Sequence, residues 1–117
     1  MLNDSSFEHI YLAAGYTDLR RGIDGLVALI KNEFHLDPYD PQSIFLFCGR
    51  RTDRIIALIY EVDGHVLLYK RLVDGCFQWP RSPEQAEKIT LQQFRWLMDG
   101  LSVKQKKVIH RKQPTLI

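Results

Sequence analysis

The sequence predicts an α+β fold: an antiparallel β-meander sheet packed by an N-terminal and a C-terminal helix. Three observations carry that expectation. Between residues 43 and 72, apolar runs of strand length alternate with turn signals. An apolar stripe at helical spacing precedes them, and a second amphipathic stretch with its own cap follows.

Taken in order, Ile10-Tyr11-Leu12-Ala13-Ala14 reads as a short buried strand stopped by Gly15. Thr17 or Asp18 then caps a helix whose stripe is Leu19, Ile23, Leu26, Val27, Ile30 and Phe34. Gly22 and Gly25 weaken that helix by roughly 1 kcal/mol each relative to Ala, which close packing against the sheet would explain. The helix should end near His35, before Asp37-Pro38-Tyr39-Asp40-Pro41.

Ser43 to Cys48 is apolar on both faces, as a central strand requires. Residues 49–53 form a polar, Arg-rich connection to a strand over Arg54 to Val62. Asp63-Gly64 has the composition of a type I′ hairpin turn, whose two central residues need positive φ. His65 to Leu72 returns, and pairing symmetric about that turn sets Arg54 near Val73 and Ile56 near Arg71. Asp74-Gly75 turns the chain again into Phe77-Gln78-Trp79, a candidate fourth strand that stops at Pro80.

The last third reads as helical. Ser82 precedes Pro83, which suits a first helical position. Thr90-Leu91-Gln92-Gln93 fits a capping box, Leu91, Phe94, Leu97 and Met98 make the apolar face, and Gly100 stops it. Residues 1–103 thus make one domain, followed by a basic tail over 104–117 that is expected to be flexible.

The chain has 117 residues, 45% hydrophobic and 26% charged, a composition that folds as one domain. No apolar run reaches the length of a membrane span, and Met1 to Glu8 does not read as a signal peptide, so a cytoplasmic protein is expected. Net charge is +2, but residues 101–117 hold five Lys or Arg and no Asp or Glu. That asymmetry fits an anionic partner as well as it fits a solvated terminus. Cys48 and Cys76 are too far apart in sequence for a close metal-ligand pair and are expected to be reduced and partly buried.

Searches for reaction machinery yield no catalytic, cofactor or metal candidates. Phosphodiester cleavage by metal ions needs convergent carboxylates. Asp18, Asp24, Asp37, Asp40, Asp53, Asp63 and Asp74 fall mostly at caps and turns, and Glu61 has no evident partner. His9, His35, His65 and His110 lack ligand spacing, and no nucleophile elbow, phosphate loop or dinucleotide fingerprint occurs.

The basic residues say more. Arg50, Arg51 and Arg54 crowd one connection, and the returning strand brings Lys70 and Arg71 to the same end, one on each face. Guanidinium groups bind phosphate in a fixed fork, and a cluster raises the local anion concentration. Arg20-Arg21 opens the first helix against its dipole, where a partner or a neighbouring carboxylate would make sense of it. The plain alternative pairs Asp53 and Asp74 with these arginines and leaves nothing to bind. Of the aromatics, Phe45, Phe47 and Phe77 are assigned to the core, and Tyr69 and Trp79 to surface contacts able to stack bases.

Three ordered blocks resemble one family. Thr17-Asp18-Leu19-Arg20-Arg21-Gly22-Ile23-Asp24-Gly25-Leu26 is similar to the opening signature of the second-open-reading-frame (TnpB-type) accessory proteins of the insertion sequence sixty-six family. Phe45-Leu46-Phe47-Cys48-Gly49-Arg50-Arg51-Thr52-Asp53-Arg54-Ile55 resembles its central block. Leu68-Tyr69-Lys70-Arg71-Leu72 with Gly75, Phe77, Trp79 and Pro80 resembles its third. Cys76 and Ile56 depart from the pattern, standing where basic residues are frequent.

The resemblance implies a non-catalytic accessory protein of DNA transposition, encoded beside a larger transposase that cuts and joins. It assigns no catalytic residues. DNA and that transposase are the partners it implies. The basic residues make DNA contact the first reading, with Arg50, Arg51, Arg54, Lys70, Arg71, Arg20 and Arg21 as the binding set. The alternatives are a subunit that binds or regulates the transposase without touching DNA, and a small metal-dependent nuclease.

Overall fold

A computed structural model describes residues 7–81 and 86–104. It has five strands, β1 (His9–Ala13), β2 (Ser43–Cys48), β3 (Arg54–Glu61), β4 (Gly64–Arg71) and β5 (Ala86–Ile89), and two helices, α1 (Gly22–Asn32) and α2 (Leu91–Met98). One sheet holds all five strands in the order β4-β3-β2-β1-β5.

The α+β class is as the sequence indicates, but the sheet is mixed. Only β2, β3 and β4 form a meander. β1 runs parallel to β2, with Ile10 opposite Ile44 and Leu12 opposite Leu46. The cause is α1: a helix inserted between two neighbouring strands carries the chain back to the starting end, and the second strand then runs the same way as the first. β5 closes the other edge antiparallel to β1, pairing Ile10 with Ile89.

That fifth strand corrects the expectation of a wholly helical last third. Ala86–Ile89 is extended because its backbone completes the edge of β1, and the helix starts only at Leu91. The cap read at Ser82-Pro83-Glu84-Gln85 lies outside the described residues, as does the tail from residue 105 onward. The Thr90 capping box is present: Gln93 N–H donates to Thr90 Oγ1 at 3.1 Å, and Gln93 Oε1 accepts from Thr90 N–H at 2.8 Å. Phe94 and Leu97 are buried, with Leu91 and Met98 packed beside them, and Gly100 N–H returns to the Leu97 carbonyl.

The first helix is also interrupted where a single one was expected. Leu19–Arg21 is a separate 3-10 turn, and Gly22 (φ 74, ψ −176), the first residue of α1, breaks the helical path between the two. Gly22 therefore serves backbone conformation, since a side chain there would meet nothing within 4 Å. Gly25 does serve packing, but against Arg21: an added Cβ would lie 2.7 Å from Arg21 Cβ. Leu26, Leu29 and Ile30 are buried, and Leu19, Ile23, Val27 and Phe34 pack beside them.

The sheet is covered on both faces. α1 packs on Ala13, Phe45, Phe47, Ile56 and Leu58. On the other face α2, Phe77, Trp79 and Val103 cover Leu12, Leu46, Cys48, Ile55 and Ala57. This double cover explains why every residue of β2 is buried. Phe77-Gln78-Trp79 is no strand. It is an irregular crossing held by Phe77 N–H to Thr52 O (2.7 Å) and by buried Trp79 Nε1 to Ala13 O (2.9 Å). Trp79 is thus a core residue and not the surface contact expected.

The β3–β4 register also differs from the type I′ expectation. Glu61 pairs with Gly64, so Val62 and Asp63 form the two-residue connection, and neither Asp63 nor Gly64 has positive φ. The shift moves partners by two residues and leaves faces unchanged: Arg54 stands opposite Arg71, and Ile56 opposite Tyr69. At the hairpin end His65 Nε2 donates to the Pro38 carbonyl at 2.9 Å, and its ring packs against Tyr39 and Tyr60. No helix among the described residues is long and apolar enough to cross a membrane.

Candidate functional site

The parallel strands β1 and β2 end side by side, and each runs into a loop at the same end of the sheet. The two loops are tied by Thr17 N–H to the Cys48 carbonyl at 2.9 Å. Leu19 packs on Gly49 so closely that a Cβ at Gly49 would lie 3.2 Å from Leu19 Cδ1. The space outside the carboxyl ends of parallel strands is the usual ligand crevice of α/β sheets. Here it is an open groove of about 460 Å³ lined by Tyr16, Thr17, Asp18, Leu19, Arg20, Gly49, Arg50, Arg51 and Arg54.

A second groove of about 450 Å³ adjoins it, sharing Arg51 and Arg54 and adding Asp53, Arg71, Leu72 and Val73. Its wall forms because Leu72 N–H donates to the Asp53 carbonyl at 2.7 Å, latching the end of β4 onto the turn before β3. Arg54 and Arg71 lie on the α1 face, since Ile56 and Leu67 on that alternation pack under α1.

Five of the seven basic residues singled out in the sequence thus meet at one end of the sheet: Arg20, Arg50, Arg51, Arg54 and Arg71. Lys70 and Arg21 do not line these grooves. Lys70 is exposed opposite Ile55, on the other face of β4. Arg21 turns toward a separate small crevice lined by Leu29, Glu33 and Phe34.

Two carboxylates face this charge. Asp18 pairs with Arg20 (Nε to Oδ1, 3.0 Å) and also accepts from the Arg20 backbone N–H at 3.0 Å. The Arg20 hydrogen bond holds the Asp18 carboxyl below its ordinary range. The Arg20 charge at the helix entry therefore has its neighbouring carboxylate. Asp53 pairs with Arg54 at 3.0 Å, and that hydrogen bond lowers the Asp53 carboxyl and raises the Arg54 guanidinium. Among the described residues Asp74 pairs with no arginine; its carboxylate accepts from Gly75 N–H at 3.0 Å. Among the described residues Arg50, Arg51 and Arg71 make no ion pair within 4 Å.

The arrangement presents a concave cationic surface with an excess of planar guanidinium donors. Such donors bind the oxygens of phosphate or carboxylate groups in pairs. Two carboxylates elsewhere hold local turns: Asp37 accepts from Tyr39 N–H, and Asp40 from Gln42 N–H and the Ser43 hydroxyl.

Sequence reasoning missed Tyr16 and Arg81. Tyr16 is 40% exposed on the groove wall, and the Arg81 guanidinium sits 6.0 Å from its ring centre. Only the parallel β1–β2 pairing brings Tyr16 beside Arg50, and the strand–helix–strand order was the available signal for it. Tyr69 is 56% exposed, as expected. Cys48 is buried, its Sγ donating to the Arg54 carbonyl at 3.3 Å, whereas Cys76 is exposed.

The sequence profile of a family described as IS66 Orf2 like protein matches residues 8–108. Among curated proteins, the chain is similar to the uncharacterized protein y4jC of Sinorhizobium fredii (strain NBRC 101917 / NGR234), 34% identical over 120 residues, covering 100% of this chain and 99% of that protein. It is also similar to the uncharacterized protein y4hO of the same organism, 30% identical over 101 residues, covering 86% of this chain and 87% of that protein. No solved structure matches.

Proposed function

The chain belongs to the IS66 Orf2-like family of insertion-sequence-associated accessory proteins, and from that premise we propose that it aids transposition by contacting DNA through the arginine-lined end of its sheet. The observation that carries this reading is the convergence of Arg20, Arg50, Arg51, Arg54 and Arg71, drawn from three separate stretches of chain, on two adjoining grooves. Like charges gathered in this way repel one another, and a polyanion relieves that repulsion. In this reading the protein is not an enzyme and needs no cofactor; cutting and joining fall to the separate transposase, its second partner. It acts in the cytoplasm, where the element's DNA lies.

Retention assays with labelled DNA, duplex and single-stranded, test the reading, run with and without the transposase. The expected result is DNA retained at low salt and released as salt rises. Capture of the transposase with no DNA of either form retained would replace this reading with the protein-interaction alternative. Nicking of plasmid in Mg²⁺ or Mn²⁺ would replace it with a nuclease.

A further inference from the structure

The cationic end of the sheet is hollow and carries aromatic rings at its margins. Duplex DNA is met by structures that protrude: a helix or β-ribbon that fills a groove about 12 Å wide, or a flat basic face laid on the phosphates. Here the arginines line a concavity of about 460 Å³, at the low end of the roughly 300–1,000 Å³ typical of pockets for a single small molecule. That is a hollow on the scale of one or two nucleotide units, and it offers no protruding helix or ribbon of the kind that fills a duplex groove.

Three exposed tyrosines stand out among the described residues, Tyr16, Tyr39 and Tyr69. Tyr39 is at the hairpin end, packed against Tyr60 and His65. The other two flank the arginines. Tyr16 is on the groove wall with Arg20, Arg50, Arg51 and Arg54, and Tyr69 lies two residues before Arg71 on the same face of β4, opposite Ile56. Arg81 over the Tyr16 ring adds a planar cation of the kind that also stacks on bases. Guanidinium groups along a trough with exposed rings at its margins are the components of single-strand binding, where phosphates meet the cations and unstacked bases lie on the rings.

We propose that this end of the sheet binds unpaired DNA in preference to duplex, with Tyr16 and Tyr69 stacking on bases and the arginines holding the intervening phosphates. The proposal rests on the DNA-binding reading above and specifies the form of DNA it takes.

Fluorescence anisotropy with labelled oligothymidylate, and with the same strand paired to oligoadenylate, tests it at one fixed salt concentration. The single strand should bind about ten-fold or more tightly than the duplex. Tyr16→Ala and Tyr69→Thr, the latter keeping a strand-favouring residue, should each cost the single strand roughly ten-fold and leave duplex binding unchanged. Tyr16→Phe and Tyr69→Phe should retain binding, which separates ring stacking from any loss of fold. Equal or tighter binding to duplex, or equal losses on both forms, overturns the single-strand inference while the DNA reading stands. No binding to either form overturns both.

Discussion

Arg54 and Arg71 are direct cross-strand partners on β3 and β4, so two guanidinium side chains leave the same face of the sheet at adjacent positions. Like charges placed opposite one another destabilise a strand pair. Asp53 engages Arg54 at 3.0 Å and offsets part of that repulsion, while Arg71 has no ion-pair partner among the described residues. The pairing works against the stability of the isolated protein and for the affinity of an anion.

Arg71→Glu should therefore move stability and binding in opposite directions. Converting the repulsive pair to an attractive one is expected to raise the melting temperature by about 1–4 °C. The same change should weaken DNA binding about ten-fold or more. Thermal unfolding and anisotropy on one preparation check both, and a variant that lost stability together with affinity would show the pair to be structural.

Gly22→Ala should cost about 1–3 kcal/mol, because φ 74 with ψ −176 is a conformation open to little but glycine. The cost arises in the backbone, since no atom crowds the added methyl. Gly64→Ala is the control: its Cβ also meets nothing within 4 Å, its φ is not positive, and urea unfolding should place it near the parent. Gly22→Ala should also weaken DNA binding, because the turn it terminates holds Arg20 at the groove.

Much of this was legible in the sequence. Apolar periodicity located α1, β2, β3 and β4 because the first three bury apolar residues and β4 half-buries Leu67 and Leu68, and Thr90 marked the start of α2 through a local hydrogen-bond pattern. Ala86–Ile89 was not legible, because a four-residue edge strand with Glu87 and Lys88 has too little apolar alternation to signal itself. The register of β3 and β4 depends on which two residues make the turn, and Asp63-Gly64 misled by composition. At the site, the arginine convergence could be argued from hairpin symmetry. The addition of Arg20 and Tyr16 could not, because it follows from the parallel pairing of β1 with β2.

The two thiols should behave differently. Burial pushes the Cys48 thiol from its ordinary 9.0 up to about 12, while Cys76 is exposed. In native protein an aromatic disulfide reagent should modify Cys76 alone, with Cys48 reacting only after denaturant is added. The unfolded chain ionises Cys48 near pH 9 and the folded chain does not, so the unfolded state binds fewer protons between pH 9 and 12. The Cys48 contribution to stability is therefore complete below pH 9 and declines as pH rises through that window. Rapid labelling of both thiols under native conditions would contradict the burial of Cys48.

The most direct measurement is the slope of log binding constant against log salt for DNA, compared between the parent and the triple variant Arg50→Ala, Arg51→Ala, Arg54→Ala. Each phosphate contact removed should flatten the slope by about 0.7 for single strands or 0.9 for duplex. The triple variant should lose about two to three units of slope and bind more weakly to every sequence. Lys31→Ala, at the last turn of α1, should leave slope and affinity alone. A folded triple variant with unchanged slope and affinity would contradict the assignment of DNA contact to this end of the sheet.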